Sequence, residues 1–156
     1  MIVRVALAAV VSLALLAAAV PAVEHATRTR DAATVDASAD RVVDAVTALY
    51  RRNDPVASIA SAPRRTLELD LPEGTTFELR TDPPRLVTSL GAGPEHRHSL
   101  PIRVAVCGDD SELRGPTTLA YVRGPEGPVV VATRGFIRGG GTNPPHACAL
   151  RTLRVG

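Results

Sequence analysis

The first 52 residues constrain the fold of this chain most, because they form one continuous stretch that favours a long helix. An uncharged run of 19 residues begins at Val5 and ends at Val23, and the stretch from Glu24 to Arg52 contains neither Pro nor Gly. At 1.5 Å per residue the uncharged run spans roughly 28 Å, about the hydrocarbon thickness of a bilayer. We therefore predict a membrane-embedded helix over residues 1–23, in contact with lipid through residues 5–23.

The same run also fits a secretory signal peptide, with its apolar region over residues 5–16 and small residues at a cleavage site such as 17–19. Its length favours a retained anchor, because the apolar region of a signal peptide is usually about 7–15 residues long. Arg4 on one side and Arg28 and Arg30 on the other do not fix an orientation. A β-rich remainder with two cysteines favours an extracytoplasmic C-terminal domain. The expected location is thus the cell membrane, as a single-pass protein, with a secreted protein as the alternative.

Residues 24–54 predict an amphipathic helical stalk. Its apolar side chains recur at spacings of four, three, four and three, which places them on one helical face: Val35, Ala39, Val42, Val46 and Leu49. We call these five residues the helix seam. Two interpretations are open: the seam packs on the chain's own β-domain, or it packs against neighbouring subunits in a bundle or filament. The helix is expected to end at Asp54, because a residue that precedes Pro disfavours the α conformation.

After a linker over residues 55–64, the pattern changes to short alternating runs separated by Pro and Gly, which predicts a β-domain over 65–156. Two hairpins are expected, one across the turn at 72–74 and one across the turn at 124–127. The segment 91–99 is expected to be a loop. The predicted strands cover 66–71, 77–80, 85–90, 102–107, 117–123, 129–134 and 147–155. The predicted fold class is α+β, a long helix followed by a small antiparallel sheet of six or seven strands.

Motifs for chemistry are weak in this chain. His96 and His98 are spaced like metal ligands on a strand, but a zinc site needs further ligands. The candidates, which the fold would have to bring close, are Cys107, Asp109, Asp110 and His146. The chain contains no Gly-x-Ser-x-Gly motif and no glycine-rich phosphate loop joined to a helix. We therefore predict no catalytic, cofactor-binding or metal-binding residues, and no enzymatic activity.

Two cysteines, Cys107 and Cys148, lie in the C-terminal half. An even count in an exported chain supports a disulfide between them. Two buried thiols that act as small apolar side chains are the alternative.

Positive charge is spread along the chain. All 18 basic residues are Arg, the net charge is +2, and only 3% of residues are aromatic. A nucleic-acid surface needs clustered basic residues with aromatics among them. Nucleic acid is therefore not an expected partner.

The N-terminal third carries a family resemblance. Its elements are Met1-Ile2-Val3-Arg4, the Ala/Val/Leu run, Pro21-Ala22-Val23-Glu24, and an Arg/Asp-rich helix that ends at Asp54-Pro55. This pattern resembles a family of uncharacterised haloarchaeal proteins with one N-terminal hydrophobic helix, whose genes are thought to accompany type IV pilus-like machinery. The architecture is also similar to type IV pilins and pseudopilins, which combine a long N-terminal helix with a β-domain. Pilins are cut before the apolar run and carry an early Glu, whereas this chain has Arg4-Val5 and no acidic residue before Glu24.

The resemblance implies a membrane-anchored, extracytoplasmic structural component of a pilus-like or secretion system, with pilin-like or secretion-system subunits as partners. The alternative is a secreted, signal-cleaved β-domain that binds a ligand or surface polymer.

Overall fold

The helix that the sequence predicts is present and runs without a break. The computed structural model describes residues 2–107 and 113–135, and in it α1 spans Ile2–Arg52, with Pro21 inside it. Arg51 and Arg52 occupy the last turn, where positive charge favours the helix dipole. The Asn53 side-chain amide donates a hydrogen bond of 3.2 Å to the carbonyl oxygen of Leu49, which caps the C-terminal end.

The structure contradicts the expectation of a membrane-embedded helix. Among the residues that the structure describes, no helix is long and apolar enough to cross a membrane. The predicted single-pass location and the membrane-embedded half of the predicted fold are therefore wrong. The uncharged run is not a separate element, because the same helix continues through charged residues from Glu24 onward.

The chain divides into two compact units, residues 1–33 and residues 34–156. The first unit consists of α1 residues, and every residue from 19 to 30 is exposed. The second unit holds the end of α1 and the strands. The boundary therefore lies inside the helix and not at its junction with the linker.

Seven strands follow α1 in the described residues: β1 (Arg64–Leu69), β2 (Thr75–Arg80), β3 (Arg85–Leu90), β4 (His96–Ser99), β5 (Val104–Val106), β6 (Gly115–Gly124) and β7 (Gly127–Arg134). A short 3-10 helix, Ile59–Ser61, precedes β1. The strands form a four-stranded sheet in the order β1-β6-β7-β5 and a three-stranded sheet in the order β2-β3-β4. The fold is therefore α+β with two sheets.

The hairpin across residues 124–127 is confirmed, since β6 and β7 pair antiparallel from Thr117↔Arg134 to Gly124↔Gly127. Gly127 has φ +117°, a backbone conformation that glycine adopts without strain.

Three other expectations about the strands are wrong. β1 does not form a hairpin with β2 but pairs with β6, and β2 pairs with β3. β5 pairs parallel with β7, so the four-stranded sheet is mixed and not purely antiparallel. The expected loop at 91–99 contains β4, which is polar and lies at the edge of its sheet. An edge strand buries few side chains, so its sequence lacks the apolar alternation by which strands are recognised.

The second unit holds the hydrophobic core. The end of α1 contributes four of the five seam residues, Ala39, Val42, Val46 and Leu49, to a cluster with apolar side chains of both sheets: Leu69, Phe77, Leu79, Leu86, Val104, Leu119, Tyr121 and Val130. A second cluster, formed by Ala62, Ala105, Ala120, Val122, Val129 and Val131, lies on the four-stranded sheet.

Candidate functional site

The helix seam is occupied within the chain. Val35 is 4% exposed and the other four seam residues are 2% exposed or less. Ala39, Val42, Val46 and Leu49 all belong to the cluster that includes side chains of both sheets. A face that is covered in this way has no free surface for another subunit. Any contact with other subunits must therefore use a different part of the molecule.

The N-terminal part of α1 offers such a surface. Four large apolar side chains there are 58–68% exposed: Val10, Leu13, Val20 and Val23. Ala17, which lies between them, is also exposed. We call these five residues the apolar helix surface. Monomeric soluble proteins seldom leave a contiguous apolar area uncovered, so such an area usually marks an interaction site.

The apolar helix surface has the geometry of a helix–helix contact. Val10, Leu13, Ala17 and Val20 follow each other at spacings of three, four and three, which is the a/d pattern of packed helices. Val11 is also 50% exposed, but it lies about 100° around the helix from Val10 and so falls outside this row. The row is therefore the part of this apolar run in which the exposed side chains follow a/d spacing.

Charged residues mark the end of the row. Arg28 and Glu24 form an i,i+4 ion pair of 3.2 Å with side chains 77% and 59% exposed. Such an exposed pair contributes little to stability. The hydroxyl groups of Thr27 and Thr29 bond to the carbonyl oxygens of Val23 and His25 on the same helix. This polar turn is suited to water, so the interaction surface stops near Val23.

Cys107 is disulfide-bonded. It follows β5, and its backbone amide donates to the carbonyl oxygen of Ala132 at 2.8 Å. Cys148, the only other cysteine of the chain, lies outside the described residues. The Cys107–Cys148 pairing stays a prediction.

The two candidate metal ligands lie on one edge strand. His96 is exposed and His98 is half-buried, and both are on β4. The Nε2 atom of His98 is buried without a hydrogen-bond partner among the described residues. No group of three His, Cys, Asp or Glu side chains suited to a metal occurs in the described part of the chain. Asp109, Asp110 and His146 lie outside it.

One open groove lies where β1 ends and β6 begins. Its volume is about 440 Å³, and its lining includes Glu68, Asp70 and Arg114. The Arg114 guanidinium donates a hydrogen bond of 2.9 Å to the carbonyl oxygen of Thr75, and this bond links the groove to the start of β2. The lining in the described residues offers no histidine, cysteine or serine. It therefore lacks the pairing of nucleophile and base that acyl transfer needs.

The row could have been found from sequence. The a/d spacing of Val10, Leu13, Ala17 and Val20 is present in the sequence, but the length and lack of charge of the same run predict a membrane helix. The exposure of these side chains in the structure identifies them as a surface.

Comparison with known proteins gives one family. A model described as a domain of unknown function, DUF7311, matches residues 2–135, which include the apolar helix surface and all seven described strands. No curated protein and no solved structure matches the chain. Because the family model covers most of its length, the chain belongs to the DUF7311 family.

Proposed function

We propose that this protein is a non-enzymatic structural subunit of a pilus-like or secretion assembly, in which the apolar helix surface packs against the same surface of neighbouring copies. The observation that carries the proposal is the exposure of Val10, Leu13, Val20 and Val23 on one side of α1. The pilin-like order of elements, a long N-terminal helix followed by a β-domain, supports the same role.

The apolar side chains set the scale of the interaction. Full burial of one Val or Leu side chain is worth roughly 1.5–3 kcal/mol. Association of two molecules costs about 4–15 kcal/mol of free energy, because translational and rotational freedom is lost. A pair of helices brings together eight such side chains, and their complete burial, worth about 12–24 kcal/mol, is large enough to offset that cost. A compact bundle, in which the row of each helix faces the other helices and Val11 faces outward, is the favoured product.

Small residues help the helices to approach. Ala17 lies between Leu13 and Val20 in the row, and Ala14 is exposed beside it. Short side chains reduce the distance between packed helix axes, which increases van der Waals contact. The two parts of α1 then have different roles. Residues up to Val23 form contacts between copies, and residues from Val35 onward pack on the β-domain.

The test compares two Val→Asp variants of the full chain. Val20→Asp places a carboxylate in the row, where burial of an unpaired charge is costly, and Val11→Asp places the same group outside it. We expect wild type and Val11→Asp to sediment as the same oligomer, and Val20→Asp to sediment as a monomer. The thermal midpoint of the β-domain should not differ between the two variants.

Two outcomes would contradict the proposal. One is a wild-type protein that is monomeric across the concentrations accessible to sedimentation velocity. The other is equal dissociation by Val11→Asp and Val20→Asp, which would show a general effect of charge and not a contact through the row.

A further inference from the structure

The outer face of the three-stranded sheet brings together arginines that are distant in sequence. Arg80 on β2 lies directly opposite Arg85 on β3. Arg97 on β4 pairs with Val87, two residues along from Arg85, so it is the diagonal neighbour of Arg85 on the same face. We call Arg80, Arg85 and Arg97 the arginine face.

This face is opposite the core. Phe77, Leu79 and Leu86, which alternate with the arginine positions, point into the core cluster. Val87 lies on the same side as the arginines, and although it is only 1% exposed it belongs to neither core cluster. Long side chains on this face therefore cover it, as the aliphatic stems of Arg commonly do. Val87 is therefore a small apolar centre on this face, between the arginine positions.

The three arginines differ in their partners. Arg80 bonds to Glu78 on its own strand at 3.2 Å, and Arg97 bonds at 3.0 Å to Glu95, which immediately precedes β4. Arg85 forms no ion pair among the described residues, and its Nε atom is buried without a hydrogen-bond partner. Arg85, on the central strand, is thus the arginine of this face whose side chain forms no ion pair among the described residues and has a buried N–H donor without a partner.

Placing Arg80 opposite Arg85 has a cost. Like charges that face each other across two strands destabilise a sheet, and a buried donor without a partner is unfavourable as well. Two acidic groups neutralise only part of the positive charge of three arginines. An anion that accepts hydrogen bonds from Arg85 would relieve both unfavourable terms at once.

We propose that the arginine face is a binding site for a tetrahedral oxyanion of the phosphate or sulfate class, held chiefly by Arg85 with Arg80 and Arg97 on either side. Guanidinium groups bind such anions through paired N–H donors. Three arginines from three strands supply donors from several directions, which suits a group with oxygens on all sides better than a planar carboxylate. This site is independent of the proposed assembly role, because it lies on the sheet and not on α1.

The experiment titrates the full chain with inorganic phosphate, sulfate, glucose 6-phosphate and acetate at constant ionic strength, by calorimetry. Two Arg→Gln variants are compared: Arg85→Gln, and Arg65→Gln, which removes an exposed arginine of β1 in the other sheet. We expect Arg85→Gln to weaken phosphate binding by about tenfold or more, as loss of a charged hydrogen bond does, and Arg65→Gln to leave it within about twofold. Arg85→Lys, which keeps the charge but not the planar fork, should bind with intermediate affinity.

The two phosphate probes distinguish the source of the anion. Tighter binding of glucose 6-phosphate than of inorganic phosphate assigns an ester, and the reverse assigns the free ion; either supports the site. The proposal is overturned if wild type binds neither phosphate nor sulfate, if acetate binds as tightly as phosphate, or if the two Gln variants lose affinity equally. Circular dichroism in chloride buffer checks folding, and Arg85→Gln should melt no lower than wild type because it removes the like-charge pair.

Discussion

At the scale of single residues, the pKa of Glu95 shows the electrostatic effect of the arginine face on a neighbouring carboxyl group. The hydrogen bond from the Arg97 guanidinium lowers the pKa of this carboxyl, and the charges of Arg97, Arg80 and Arg85 act in the same direction. Glu95 precedes β4 and its side chain is 47% exposed. A shift at such an accessible position reports the local field of the arginines.

We therefore predict that Glu95 titrates below the ordinary range of a glutamate. A lowered pKa means that the folded state favours the ionised form, so the Glu95–Arg97 pair is intact above the ordinary pKa of Glu and is lost as the pH falls through the lowered one. Carbon-detected NMR of the side-chain carboxyl follows this titration directly. Arg97→Gln should move the midpoint upward toward that of a free glutamate. The same midpoint in wild type and Arg97→Gln would show that the pair has no influence.

The arginine face illustrates what sequence alone cannot reveal at this scale. Arg80, Arg85 and Arg97 are 5 and 12 positions apart, among 18 arginines spread along the chain. Nothing in their spacing distinguishes them from the others. They become neighbours only through the register of β2, β3 and β4, and β4 itself was expected to be a loop. A cluster that depends on an unrecognised strand could not be predicted.

At the scale of elements, α1 could be predicted almost completely, and strand pairing could not. The helix and its seam follow from local rules, namely a lack of Pro and Gly after residue 24 and apolar spacing of three and four. The alternation of Leu67 and Leu69 identifies a strand, but many partners satisfy it. β1 pairs with β6, with Arg64 opposite Ala120. This pairing is determined by packing between segments some 50 residues apart in the sequence.

The two parts of α1 should respond differently to the same substitution. Val42 is fully buried, and Val11 is 50% exposed. Val42→Ala removes two buried carbon atoms and leaves a cavity, so it should lower the free energy of unfolding by about 2 kcal/mol. Val11→Ala should change it by no more than about 0.5 kcal/mol. Urea denaturation at one protein concentration measures both, and equal losses would mean that the first unit contributes to the folded core.

At the scale of the whole molecule, stability and proposed assembly are assigned to different units. Among the residues whose side-chain burial the structure describes, which in α1 leave out 2–9, 12, 15, 16 and 18, every buried apolar side chain lies at Val35 or later. These residues belong to the unit that covers residues 34–156. The large exposed apolar side chains lie almost entirely in the unit that covers residues 1–33. Tyr50, at 44% exposure, is the exception, and it makes an edge-to-face contact with Tyr121 at 6.5 Å.

This separation predicts that a fragment of residues 31–156 folds by itself. The buried apolar side chains that the structure describes begin at Val35, and most helical stability in proteins comes from packing and not from helix length. The new helix would begin at Asp31, whose negative charge suits a helix N-terminus. Its free energy of unfolding should match that of the full chain to within about 1 kcal/mol, the size of one helix cap. By sedimentation the fragment should be monomeric where the full chain is oligomeric. A fragment that fails to fold would show that the first unit stabilises the second, and a folded fragment that still forms the oligomer would place the subunit contact on the β-domain.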